Sequence, residues 1–335
     1  MNKHARLLCL ATAAVSLAAV AAAAAGSATP ALPTHPIVEA AARVPQAAQA
    51  GLLASARAGD RLVAVGERGI ILLSDDHGQH FRQARQVPLD VTLTSVSFAD
   101  ERHGWAVGQW GAVLATDDGG ETWQLRRKDT QNDRPLFGVH FFDTRQGVAV
   151  GLWSLVLVTE DGGVNWREVK LPPPDGAKKA DLNLLGLFAD EHGRVYAAAE
   201  RGMVLRSEDR GGTWSYAATG YRGSFWTGLA LPDGVLLAGG LRGSLYRSID
   251  DGRTWERVET GSRSSLTAMT GRGQTVVVVG LDGLVLRSSD AGATFHREVR
   301  ADHAALTGVM LTARQKPVYL SRQGVVAEPS ASGSN

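Results

Sequence analysis

Six aspartates are the residues whose type and spacing most resemble a chemical device. Asp76, Asp118, Asp161, Asp209, Asp250 and Asp290 each stand third in the frame Ser/Thr-x-Asp-x-Gly-x-x-aromatic, as in TDDGGETW over 116–123 or SIDDGRTW over 248–255. Carboxylates in glycine-rich loops could hold calcium, and TDDGG resembles the start of an acidic loop. A calcium loop of the helix-loop-helix kind also needs acids at alternate positions and a glutamate at the twelfth, and no copy has both. The spacing favours a structural reading. Short Asp side chains in turns accept bonds from nearby backbone N–H groups, Gly takes up positive φ, and the Ser/Thr hydroxyl completes the network. The terminal Trp or Phe is then placed to wedge between neighbouring sheets.

The elements that position these turns follow from the period. Successive aspartates lie 40 to 48 residues apart, the length of a four-stranded propeller blade. A second register runs in parallel: ten residues before each aspartate an apolar, β-branched run ends on a small residue, at Gly66, Gly108, Gly151, Ala199, Gly240 and Gly280. Runs such as LVAVG and VVVVG read as buried inner strands. A seventh unit follows 295, with Ser321 in the place of those small residues, and the sequence ends before a fourth strand. The expected fold is therefore all-β, a seven-bladed β-propeller of four-stranded antiparallel blades, with residues 37–44 supplying the strand that completes the last blade, because an open edge exposes unpaired backbone.

Flanking segments set the domain boundaries. Lys3, His4 and Arg6 precede an apolar, alanine-rich run over 7–25 with small residues around 25–28, which reads as a signal peptide over 1–28, with an uncleaved anchor as the rival. Residues 29–36 form a Pro-rich leader, 37–328 the propeller, and 329–335 a polar, disordered tail. Export to the periplasm or beyond follows from the leader. Cys9, the single cysteine, lies inside that leader, so the processed chain has no thiol for disulfide, thiolate or metal chemistry. A formal charge of +1 over 335 residues argues against a nucleic-acid partner. His77, His80, His103, His140, His192, His296 and His303 are scattered, with no H-x-H or i, i+4 pair, so no metal site and no cofactor are expected.

The frame Ser/Thr-x-Asp-x-Gly-x-Thr-Trp resembles the Asp-box, or bacterial neuraminidase repeat. With phrases such as LVAVGERGIILLSDDHG, LTSVSFADERHGWAVGQWGAVLATDDGGETW and AAERGMVLRSEDRGGTW, the chain over about 37–328 is similar to the photosystem II stability and assembly factor family. That resemblance implies a seven-bladed propeller acting as a non-enzymatic scaffold in membrane-protein biogenesis, with an arginine-rich patch on one face. The alternative is a secreted, sialidase-like glycosidase. Sialidases use three arginines, a tyrosine nucleophile with a glutamate, an acidic proton donor and a Phe/Tyr-Arg-Ile-Pro segment. That segment is absent here, and Tyr221 beside Arg222 is the one loop tyrosine, so no catalytic residue is assigned.

The register also locates a binding face. Two residues past each small residue lies a hairpin tip, and the seven tips are Arg68, Trp110, Trp153, Arg201, Arg242, Asp282 and Gln323. Three arginines and two tryptophans stand where Gly, Asn and Asp are usual, and these types carry binding energy at protein interfaces. The expectation is that the tips crowd around the axis on one face, joined by Arg134, Tyr221, Arg222 and Phe225 from inter-blade loops. There they would grip an acidic or aromatic peptide segment of a membrane-protein partner, the propeller itself being a monomer.

Overall fold

The computed structural model describes residues 39–326. The signal peptide, the leader and the tail expected from the sequence lie outside the described residues. Among the described residues no helix is long and apolar enough to cross a membrane.

Seven antiparallel sheets follow one another along the chain. The first blade shows the plan: β1 (Leu52–Ala58), β2 (Arg61–Gly66), β3 (Ile71–Ser74) and β4 (Arg82–Gln83) pair in sequence order. Six blades have four strands in this order, confirming the period read from the aspartates. First strands, not the VAVG-type runs, line the axis: Ser55, Thr94, Val139, Leu187, Thr227, Thr267 and Thr307, one from each blade, face a common channel. The VAVG-type runs are second strands. They are buried because both sheet faces are covered by neighbouring blades, which explains their unbroken apolar character.

A bulge recurs in every blade. Leu52 pairs with Gly66 and Ala54 with Val65, skipping Leu53, and the same skip recurs at Thr94, Phe137, Leu185, Trp226, Thr267 and Thr307. Its close approach explains the small residues in the register. A Cβ on Gly66 would come within 2.0 Å of the Gly51 carbonyl, and one on Gly108 within 2.0 Å of the Thr92 carbonyl.

The Asp-box turns are clasps. In the second blade, Thr116 Oγ1 donates to Asp118 Oδ1 and accepts from the Gly120 N–H at 3.0 Å. The Asp118 oxygens accept from the Thr122 N–H and Thr122 hydroxyl, and the Trp123 indole donates to the Gly120 carbonyl at 2.9 Å. Both carboxylate oxygens are occupied in the same way in the boxes of Asp76, Asp161, Asp209, Asp250 and Asp290. Each aromatic then enters the apolar cluster shared with the preceding blade. Trp123 lies among Val63, Leu73 and Val96, and Trp166, Trp214, Trp255, Phe295 and Phe81 occupy the equivalent seams.

The expected closing strand is not formed by 39–44, and among the described residues the last blade has three strands, Leu306–Leu311, Pro317–Ser321 and Gly324–Val326. Residues 39–44 run over the first blade instead. The Ala41 N–H donates to the Val87 carbonyl, and the Gln83 side chain bonds both the Ala42 carbonyl and the Val44 N–H. The short 3-10 turn Ala47–Gln49 meets the last strand, close enough that a Cβ on Gly324 would lie 1.9 Å from the Ala48 carbonyl. Packing joins the two blades: Leu52, Leu62 and Leu72 share a cluster with Met310, Val318 and Leu320, and the Thr307 hydroxyl donates to the Leu52 carbonyl at 2.5 Å.

Trp123 is 2% exposed, so Trp123→Ala should destabilise the ring by about 3–5 kcal/mol, read by denaturant titration. Box carboxylates make a second expectation. Backbone and side-chain bonds from His80 hold Asp76 well below its usual 3.8; at Asp250 burial opposes the shift, but bonds from Thr254 and Ser248 win and hold it at about 2. Depressed carboxylates contribute stability that is complete above about pH 4 and is lost as pH falls through about 2. Denaturation midpoints between pH 5 and 2 should drop over that window, and drop less in Asp250→Asn.

Candidate functional site

The two faces of the ring carry different loops. On one, each Asp-box meets the first turn of its own blade, as in Gly119 N–H to the Arg102 carbonyl and Gly162 N–H to the Arg145 carbonyl, both 2.9 Å. On the other, each hairpin tip meets the connection to the next blade: Gly69 N–H bonds the Val91 carbonyl, Ser154 N–H the Leu182 carbonyl and Gly202 N–H the Gly223 carbonyl. Arg68, Trp110, Trp153, Arg201, Arg242, Asp282 and Gln323 therefore share a face, as the register implied. They do not crowd around the axis. First strands line the channel, so a tip between second and third strands stands about 7 Å outside the channel wall, one and a half strand spacings.

Backbone geometry at the tips is unusual. Ile70 N–H bonds the Glu67 carbonyl at 3.0 Å, Ala112 the Gln109 carbonyl at 3.1 Å and Leu155 the Leu152 carbonyl at 3.2 Å. Between them lie two residues at positive φ, such as Arg68 (54°) and Gly69 (67°), or Trp110 (59°) and Gly111 (55°). These are type I′ turns, whose first central position favours Asn, Asp or Gly. Trp153, Arg201 and Arg242 also sit at φ of 53°, 58° and 57°, and the left-handed region costs an ordinary L side chain about 1–2 kcal/mol. Asp282 obeys the turn preference, and Gln323 is not at positive φ.

Side-chain surroundings divide the candidates. Arg68, Arg201, Arg222 and Arg242 are exposed and Trp153 is 59% exposed, while Trp110 is half-buried. Arg201 forms a surface ion pair with Asp181 at 3.4 Å. Arg134 is engaged within the fold: its guanidinium holds Glu168 through two bonds of 3.2 and 3.0 Å, and that bond pulls the Glu168 carboxyl down to about 2. Tyr221 is a packing residue. Its hydroxyl donates to the Leu241 carbonyl at 2.9 Å and its ring lies against Phe225 and Tyr246. Phe225, expected in a loop, is fully buried in the first strand of the fifth blade.

Two arginines escaped the sequence reading. Arg257 and Arg263 join Arg242, with Glu259 and Ser262, around a cleft of about 650 Å³. Neither stands at a hairpin tip. Arg257 is in a fourth strand and Arg263 lies in the connection before the sixth blade, so only the face assignment brings them to Arg242.

Against known proteins, the model of the family described as Photosynthesis system II assembly factor YCF48 matches residues 80–175. Over that stretch the chain is similar to this family. Photosystem II assembly protein Ycf48 of Thermosynechococcus vestitus is 43% identical over 44 residues, 13% of this chain and 13% of that protein. Photosystem II stability/assembly factor HCF136, chloroplastic, of Cyanidioschyzon merolae is 44% identical over 57 residues, 16% of this chain and 13% of that protein. The alignments thus span a small fraction of these relatives' length. Two solved structures share the fold over nearly their whole length: YCF48 bound to D1 peptide, with TM-score 0.69 and 20% identity over 86% of this chain and 94% of that one, and YCF48 from Cyanidioschyzon merolae, with 0.67 and 19% over 85% and 96%.

One titratable group lines the axial channel. His140 lies on the first strand of the third blade, edge-on to Phe142, with ring centroids 4.8 Å apart. Burial alone lowers it from 6.5 to about 4. The unfolded chain then takes up the proton first, so stability is unaffected above about pH 6.5 and falls as pH drops from there to about 4. Denaturation midpoints at pH 7 and 4.5 should differ in the parent chain, and His140→Phe should narrow the difference.

Proposed function

We propose that this propeller is a non-enzymatic, exported scaffold for membrane-protein assembly, and that it holds an acidic or aromatic segment of its partner on the tip face. One observation carries the reading. Five tips place Arg or Trp at left-handed turn positions that Asn or Gly would occupy at lower free energy, and all five point to one face. Strained backbone clusters at ligand-holding sites, and these five side chains enter none of the seven apolar clusters that fill the seams. Arginine supplies bidentate pairing to carboxylates and tryptophan supplies broad apolar contact. Support comes also from the similarity to photosystem II assembly factors, one of which is solved with a D1 peptide.

Catalysis finds no comparable support. Tyr221, the candidate nucleophile of a sialidase-like reading, has its hydroxyl bonded to a backbone carbonyl and its ring in an aromatic cluster. The propeller acts as a monomer in this reading, since the ring is closed by its own packing.

Replacing Arg68, Arg201 and Arg242 together with Ala should abolish capture of the membrane-protein partner in a pull-down, with Tm nearly unchanged because all three are exposed. Retained capture would assign binding elsewhere. Sialoside reporters should show no turnover, and turnover that disappears in Tyr221→Phe would overturn the scaffold.

A further inference from the structure

The recurrent bulge re-aims one side chain per blade toward the mouth of the axial channel. It sits where the first strand begins, opposite the last residue of the second strand, and so opens on the tip face. Three of the seven are threonines with a visible task. Thr94 donates to the Leu136 carbonyl at 2.6 Å, Thr267 to the Leu306 carbonyl at 2.8 Å and Thr307 to the Leu52 carbonyl. Each therefore stitches its blade to the next.

The other four are Leu53, Phe137, Leu185 and Trp226, and none can make that bond. They are half-buried, line the channel, and enter none of the seven apolar clusters that fill the seams. Three of them, Phe137, Leu185 and Trp226, stand on consecutive blades. The Trp226 indole N–H donates to no group among the described residues, whereas the four box tryptophans all bond a glycine carbonyl. Large apolar side chains that neither pack nor stitch, gathered on one arc of a cavity, have the composition of a binding site.

We propose that this arc receives a bulky apolar side chain of the same partner segment that the arginine tips hold, with a carbonyl of that segment accepting from Trp226. The proposal rests on the tip-face reading. Three features select a peptide. The channel volume of about 390 Å³ lies at the small end of ligand sites. Its wall also carries Ser55 and Thr227, polar groups that a pure hydrocarbon would leave unpaired and a peptide backbone can meet. The mouth is continuous with the tips, about 7 Å inside them, within two or three residues of extended chain.

Two fluorescein-labelled synthetic peptides of equal length test this, one alternating Glu and Phe, the other Glu and Ser. The full chain should bind the Phe peptide at least tenfold more tightly. Phe137→Ser/Trp226→Ser should erase that preference, with Tm close to the parent because neither residue belongs to a seam cluster. The Arg68/Arg201/Arg242 triple variant should weaken both peptides alike and keep the ratio. Equal binding of the two peptides by the parent, or a preference that survives in the channel variant, overturns the channel site whatever the arginines do. A preserved ratio with affinities untouched by the arginine triple overturns the tip reading and the shared segment. Free indole binding as tightly as the Phe peptide overturns a peptide as occupant. If the double variant fails to fold, 5-fluorotryptophan spectra decide: the Trp226 resonance, assigned with Trp226→Phe, should move with the Phe peptide only, and a stationary resonance overturns the site.

Discussion

The ring depends on the aromatic wedge that each Asp-box delivers into the seam before it. A propeller blade is a small twisted sheet with two apolar faces, unstable alone, and it is stabilised only when both faces are covered. Trp123, Trp166, Trp214, Trp255, Phe295 and Phe81 occupy six of the seven seams. The box aspartate satisfies the turn's donors, and the Ser/Thr hydroxyl accepts the glycine N–H, so the aromatic leaves a turn whose polar groups are already paired. Tyr319, 1% exposed, fills the seventh seam from the second strand of the last blade, which has no box.

The same constraint explains what could be read in the sequence and what could not. A Cβ at Gly66 or Gly108 collides with backbone carbonyl oxygen, so the ten-residue register between small residue and aspartate is enforced sterically and repeats legibly. Another repeat went unread: Leu52, Leu93, Leu136, Leu184, Phe225, Leu266 and Leu306 all stand fully buried just before the bulge. Counting one residue past them reaches every channel-mouth side chain. Radial order was misread because a VAVG run reports burial on both faces, which a second strand between two blades has as fully as any inner strand. The axis is wetter than the seams, and its strands alternate, as LTSVSF does.

Ring closure was legible only as a problem. Among the described residues the last blade has three strands, and residues 39–44 lie over the first blade, where Gln83 bonds both Ala42 and Val44. Nothing in the local pattern of 37–44 encodes a bond to a glutamine about forty residues away. Closure then rests on leucine, valine and methionine packing between the first and last blades, with Thr307 as the stitch. At the neighbouring seam the fold adds charge: Glu121 of the second blade's box meets Arg82 and Arg61 of the first blade.

The proposed division, with stability on one face and recognition on the other, rests on how the polar groups are spent. Box aspartates have both oxygens engaged, so a ligand there would have to break bonds that hold the seams. At the tips the turn is closed by a backbone bond, as from Ile70 to Glu67, with Asn183 and Ser265 accepting from the Trp153 and Arg242 N–H groups, and the side chain at the left-handed position makes none of these bonds. Asp282 shows what the turn prefers by itself. Arginine and tryptophan at five of the other tips raise the free energy of the folded chain without improving a seam. The half-buried apolar arc inside those tips has the same character, because threonine at the equivalent positions both stitches the blades and suits water better. Left-handed non-glycine residues also stand in the box turns, at His77, Arg210 and Ala291; on the tip face such residues occur together with a half-buried apolar arc.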